Sequence, residues 1–156
     1  MIYLDNSATT RPYDAVAALM AEEQLKHFAN ASALYRPALD AEDGILAAKR
    51  EIAAVLKCTP DEVYLTSGGT YSNNLAVFGS VEARRRMGNR VVLSAVEHPS
   101  IEACGAVLEE RGYEVVYAAP DAESFEAAIN EKTVLVAVMM VNNETGQRLP
   151  VDRSHV

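Results

Sequence analysis

Thr66-Ser67-Gly68-Gly69-Thr70 follows a short β-branched and aromatic run, Val63-Tyr64-Leu65, and opens onto a helix-compatible stretch from Ser72 to Met87. Paired glycines at such a corner let the backbone turn with positive φ and let an anion approach main-chain N–H groups. The first turn of the new helix adds unpaired donors and the positive end of its dipole. The chemistry predicted is the grip of a phosphate group at Gly69 and Thr70. The spacing is neither a Walker A loop nor GxGxxG, and a plain strand-to-helix turn uses the same residues. Two more polar groups fall where strands should end, Glu97-His98 and Asn142-Asn143-Glu144. An imidazole at His98 can exchange protons near neutrality, although a histidine before Pro99 also suits a structural hydrogen bond. Asn143 offers a carboxamide donor, although Asn-Asn ahead of Gly146 is also ordinary turn chemistry.

The elements that must position these groups are legible as periodicities. Ile2 to Leu4 reads as extended, and Asp14 to Phe28 as an amphipathic helix behind Pro12. A loop over 30–37 leads into a second helix from about Leu39 to Lys57, ended by Thr59-Pro60. Glu62 to Thr66 is then expected as the strand that feeds the glycine corner. After the helix from Ser72, the sequence predicts strands at Arg90–Ala95, Tyr113–Ala118 and Thr133–Val141, separated by helices at Ser100–Arg111 and Ala122–Asn130. Near-continuous apolar runs such as Val134 to Val141 indicate strands covered on both faces, hence an α/β fold with a parallel sheet and helices on either side. In such sheets ligands sit beyond the carboxyl ends of the strands, where all three polar groups fall.

Acidic residues outnumber basic ones by 22 to 14, a formal net charge of −8, which disfavours nucleic acid as a partner. The one basic cluster, Arg84-Arg85-Arg86, is explained by cations at a helix C-terminus ahead of Gly88. No basic segment followed by an apolar one opens the sequence, and no apolar run nears the roughly 18 residues of a membrane span, so a soluble cytoplasmic protein is expected. Cys58 and Cys104 are too few for a disulfide framework and lack metal-ligand spacing. They are expected as buried or half-buried free thiols. With His27, His98 and His155 scattered, no zinc site is expected.

Four blocks taken together resemble the cysteine desulfurases, class V members of the fold-type I pyridoxal 5′-phosphate (PLP) enzymes. They are Tyr3-Leu4-Asp5-Asn6-Ser7-Ala8-Thr9-Thr10, Thr66 to Ala76, Glu97-His98, and Val141-Asn142-Asn143-Glu144-Thr145-Gly146, in family order from Ile2 to about Val151. The resemblance implies part of the large-domain sheet of those enzymes and PLP as cofactor. It implies that Gly69 and Thr70 hold the PLP phosphate, that His98 stacks on the pyridine ring and exchanges protons with substrate as the catalytic group, and that Asn143 donates to the phenolic oxygen. It further implies L-cysteine as the parent enzyme's substrate, a sulfur-acceptor protein and a homodimer.

Departures accompany the match. Tyr71 stands where the family usually has Glu, and Ala31 and Tyr35 stand where it usually has Pro and His. The family's later Asp for the pyridine nitrogen, its Ser-x-His-Lys segment and its sulfur-receiving cysteine have no counterpart in 1–156. Cys58 and Cys104 lie in the wrong blocks. One incomplete domain is therefore expected, with an arm and two helices over 1–57, the phosphate loop and βα units over 58–151, and a truncated tail over 152–156. In the family's strand order, Glu62–Thr66 would lack a neighbour and one edge of the Thr133–Val141 strand would be open. This chain alone is expected to be inactive. Another class V enzyme, such as a selenocysteine lyase or an aminotransferase, and a non-catalytic phosphate- or partner-binding α/β module remain as alternatives.

Overall fold

The computed structural model describes residues 2–151. Contacts divide the chain after Leu65 into two compact units.

In the first unit, helix α1 (Asp14–Lys26) starts where the extended Tyr13 carbonyl accepts the N–H groups of Val16 and Ala17, both at 3.0 Å. It stops at His27, whose main-chain N–H donates to the Glu23 carbonyl at 2.8 Å. None of its residues is buried. Helix α2 (Arg36–Leu56) begins three residues before the position read from the sequence. Pro37 lies in its first turn, where a missing N–H costs no helical bond, so the proline starts the helix instead of delaying it. Lys57 ends it in the left-handed conformation, φ 57°. Ala38, Ala41 and Ala53 are buried, whereas Val55 and Leu56 remain exposed.

Glu62–Thr66 forms no strand. A capping box closes a 3₁₀ turn over Pro60–Glu62, in which the Glu62 carboxylate accepts the Thr59 N–H at 2.7 Å and the Thr59 hydroxyl at 2.8 Å. Glu62 is thereby committed to the turn, and Tyr64 and Leu65 follow it exposed and outside any ladder among the described residues.

The second unit is built on three parallel strands, β1 (Arg90–Ser94), β2 (Glu114–Ala118) and β3 (Thr133–Ala137), in the order β2-β1-β3. Val91 and Leu93 face helices α3 (Gly69–Arg84) and α4 (Pro99–Glu110) in a core with Val77, Val81 and Leu108. Val92 points the other way and packs with Phe125 and Ala128 of helix α5 (Ala122–Ala128). Alternate residues of β1 are thus buried on both faces, as the near-continuous apolar pattern requires. This is the α/β architecture expected from the sequence. Arg90 braces the amino end of the sheet by donating to the Ala128 carbonyl at 2.7 Å and pairing with Glu114.

β3 is shorter than its apolar run. Past Ala137 the chain leaves the ladder because the Met139 N–H turns to the Glu97 carboxylate at 2.5 Å, and the Met140 carbonyl accepts the Leu149 N–H at 3.0 Å. Val141 then makes an isolated antiparallel bridge with Arg148.

Candidate functional site

The glycine corner lies where α3 begins. Gly68 is the N-cap residue with φ 155° and ψ 176°, a conformation that a side chain would strain, and Gly69 is the first helical residue. The helix therefore opens three residues earlier than Ser72. No side chain caps it. A Cβ placed at Gly68 or Gly69 would meet nothing within 4 Å. Thr66 and Ser72 stiffen the corner from behind. Their hydroxyls lie 2.6 Å apart, so that one donates to the other, and both oxygens are within hydrogen-bond reach of the Gly68 carbonyl, at 3.2 and 3.3 Å. Thr70 is exposed, and its carbonyl accepts from Asn74 at 2.8 Å.

His98 follows β1 and is the N-cap of α4, with Pro99 at the first helical position. Its Nδ1 accepts the Ser100 main-chain N–H at 3.2 Å and lies 2.8 Å from the Ser100 hydroxyl oxygen. Ser100 is buried, and that oxygen also accepts from Asn73 Nδ2 at 2.8 Å. Asn73 sits on α3 one turn after Gly69, so a hydrogen-bonded path runs from the helix that carries the glycine corner to the imidazole.

On the other flank, the buried Asn142 donates to the Val96 carbonyl at 2.9 Å. Its Oδ1 accepts the N–H groups of Glu144 and Thr145, at 3.0 and 2.8 Å. The Glu97 carboxylate accepts from Ser94 at 3.0 Å as well as from Met139. Asn142 thus takes the turn-building role, and Asn143 is left exposed with a carboxamide that makes no bond to the described residues. Segment 96–100 is the junction, tied to α3 through Asn73 and to 139–142 through Glu97 and the Val96 carbonyl. Hydrogen bonds thus tie the helix that starts at the glycine corner, segment 96–100 and segment 139–142 to one another within the second unit.

Asn73 and Ser100 are parts of this network to which sequence reasoning gave no role, whereas Glu97 and Asn142 were named there only as polar groups near strand ends, without the bonds that they make. For Ser100 a signal existed, since His-Pro-Ser at a helix start puts a serine donor on a histidine cap. Near the end of β1, Ser94, Glu97, Glu102 and Tyr117 line a small depression of about 70 Å³. Burial pushes the Tyr117 phenol above its usual value, with Glu109 and Glu102 adding to the effect.

Both cysteines are free, Cys58 half-buried and Cys104 buried, as expected. Burial raises the Cys104 thiol, and its Sγ donates to the Ser100 carbonyl at 3.2 Å, the reverse of an activated nucleophile. Among the described residues, no helix is long and apolar enough to cross a membrane.

This parallel sheet and its glycine-led helix define a known class. The chain belongs to the class-V aminotransferase family, whose model it matches over residues 2–155. It is similar to a cysteine desulfurase IscS of Methanosarcina thermophila, at 33% identity over 96% of this chain and 39% of that protein. Among solved structures it is similar to a NifS-like protein, with a TM-score of 0.89, 28% identity and coverage of 97% of this chain and 43% of that one. It is also similar to SspA in complex with cysteine, with a TM-score of 0.86, 32% identity and coverage of 96% and 45%. The chain spans about two-fifths of the length of the curated relatives it matches.

Proposed function

We propose that this chain supplies the phosphate-binding and ring-facing part of a PLP-dependent cysteine desulfurase, which converts L-cysteine to L-alanine and passes the sulfur to an enzyme cysteine. The observation that carries the reading is the uncapped, open start of α3, joined through Asn73 and Ser100 to the imidazole of His98. The relatives named as cysteine desulfurases and the neighbour described with cysteine support L-cysteine as the substrate.

The residues present fit the cofactor. A phosphate is suited by a helix start with no side-chain cap and no Cβ in the way, which supports Gly68 and Gly69 as its seat. Gly69 and Thr70 would hold it through main-chain N–H groups and the Thr70 hydroxyl. His98 would lie against the pyridine ring, and Asn143 would donate to the phenolic oxygen. When bound, PLP supplies an electron sink for the substrate's Cα. The chain's own contribution is orientation: the helix start fixes the anionic arm, the α4 cap fixes the imidazole, and Asn142 holds the turn that presents Asn143.

The covalent chemistry needs a lysine and a nucleophilic cysteine beyond these residues, and Cys104 is unsuited to it. We therefore expect no turnover by residues 1–156 alone. A parent homodimer in the cytoplasm and a sulfur-acceptor protein complete the proposal, carried over from the resemblance. The test is to incubate the chain with PLP and L-cysteine and to assay alanine. Catalytic release of alanine would overturn the assignment of the missing groups. Phosphate-competed binding of a PLP analogue, weakened about tenfold or more by Thr70→Ala, is the positive expectation.

A further inference from the structure

We propose that Ser100, oriented by Asn73, is a positioning residue that locks neutral His98 in the tautomer carrying its proton on Nε2. The ring then presents a hydrogen-bond donor, and not an acceptor, on the side away from α4. Two contacts fix the assignment. The Ser100 main-chain N–H points at Nδ1 at 3.2 Å, and a ring nitrogen that carried its own hydrogen could not accept that bond. The Ser100 oxygen, 2.8 Å from Nδ1, already receives the Asn73 amide at 2.8 Å. Since Nδ1 accepts the main-chain N–H and the oxygen accepts from Asn73, the hydroxyl hydrogen is the group left to point at Nδ1. Ser100 is 8% exposed, so its own donors are largely screened from water, while the His98 ring stands exposed beyond them.

Helix geometry gives the lock its direction. Because His98 is the N-cap of α4, Nδ1 faces the helix start and Nε2 faces away. A proton arriving at Nδ1 would displace both Ser100 donors, so the neutral ring keeps Nε2–H. Asn73 makes the lock conditional on α3, the helix whose first residues form the glycine corner. The use of that donor toward a bound cofactor or substrate rests on the function proposed above, but the tautomer itself does not.

The experiment is a long-range ¹H–¹⁵N correlation of the ring nitrogens in the ¹⁵N-histidine-labelled 156-residue chain, without cofactor and in mildly alkaline buffer. His98 is assigned by its loss in His98→Gln, with His27 as internal reference. The expected spectrum has a pyridine-like Nδ1 and a pyrrole-like Nε2. Ser100→Ala should lower the tautomer ratio about fivefold, and Asn73→Ala should lower it less. Ser100→Thr, which keeps the hydroxyl, should restore it. A pyrrole-like Nδ1 in the unmodified chain would overturn the proposal. So would a Ser100→Ala spectrum identical to the parent's. If Ser100→Ala fails to fold, Asn73→Ala and Ser100→Thr decide in its place: an unchanged ratio in the first, or a lost preference in the second, overturns the proposal equally. Since no cofactor is added, failure here leaves the phosphate reading standing, and failure of phosphate binding leaves the tautomer standing.

Discussion

His98 does two jobs that substitution can separate. Its imidazole caps α4, a role a shorter acceptor could fill, and it is the ring tied to the helix of the glycine corner through Ser100 and Asn73. His98→Ala should lower stability by about 1 kcal/mol through loss of the cap, whereas His98→Asn, which keeps an acceptor at that position, should recover most of it in a denaturant melt. At Gly68 the backbone itself is the constraint. With φ at 155°, Gly68→Ala should cost about 1–3 kcal/mol even though the added methyl has room, and the melting midpoint should fall accordingly. Gly69, Thr70, His98 and Asn143 could be named as candidates from the sequence because their residue types suggest chemistry near expected element ends, and their roles toward a cofactor rest on the proposal above. Asn73 was given no role and Asn142 no turn-building one, because their partners stand 27 and 46 positions away and only the folded chain brings them together.

Elements show the same division. The βαβ alternation was legible because both faces of β1 are buried, so its apolar run leaves no other assignment. Glu62–Thr66 misled because β-branched and aromatic residues mark a strand only where a neighbour pairs with it, and here Glu62 is drawn into the Thr59 capping box. β3 ended early for a different reason, a carboxylate from the neighbouring segment that captures the Met139 N–H. Asn142 holds the turn beyond it, so Asn142→Ala should cost about 1–3 kcal/mol by leaving the Val96 carbonyl and two N–H groups unpartnered. Amide exchange at Glu144 and Thr145 should accelerate together, which a purely local effect at 142 would not produce. α5 supplies a pH test. Asp121 caps it, and bonds from Ser124 hold its carboxyl below the ordinary value of 3.8. Its folded value lies below its unfolded value, so its contribution is present above the ordinary carboxylate range and is lost as the pH falls through the lower, folded value. The stability gap between the parent chain and Asp121→Ala should therefore close in strong acid and stay constant above about pH 5.

At the scale of the whole molecule, a chain that spans about two-fifths of its relatives leaves apolar surface uncovered. α1 buries none of its residues, Val55 of α2 is 80% exposed, and β3 has a strand on one side only among the described residues. Exposed apolar faces and an unpaired strand edge promote association, and the formal charge of −8 opposes it only at low salt. Size exclusion with light scattering should find the purified chain self-associated, increasingly so as salt is raised. A monomer that unfolds cooperatively would contradict this.

The central claim is that the start of α3 grips the anionic arm of a pyridoxal phosphate facing His98 and Asn143. Amide shift mapping of the ¹⁵N-labelled chain with 4-deoxypyridoxine 5′-phosphate tests it most directly, because that analogue lacks the aldehyde that would react with Lys26, Lys49, Lys57 and Lys132. Saturable shifts centred on Gly68, Gly69 and Thr70, with accompanying changes at the His98 ring and the Asn143 carboxamide, are expected. Inorganic phosphate should reproduce only the first group, and unphosphorylated deoxypyridoxine should produce none. Shifts that leave the Gly68–Thr70 amides unmoved would contradict the account.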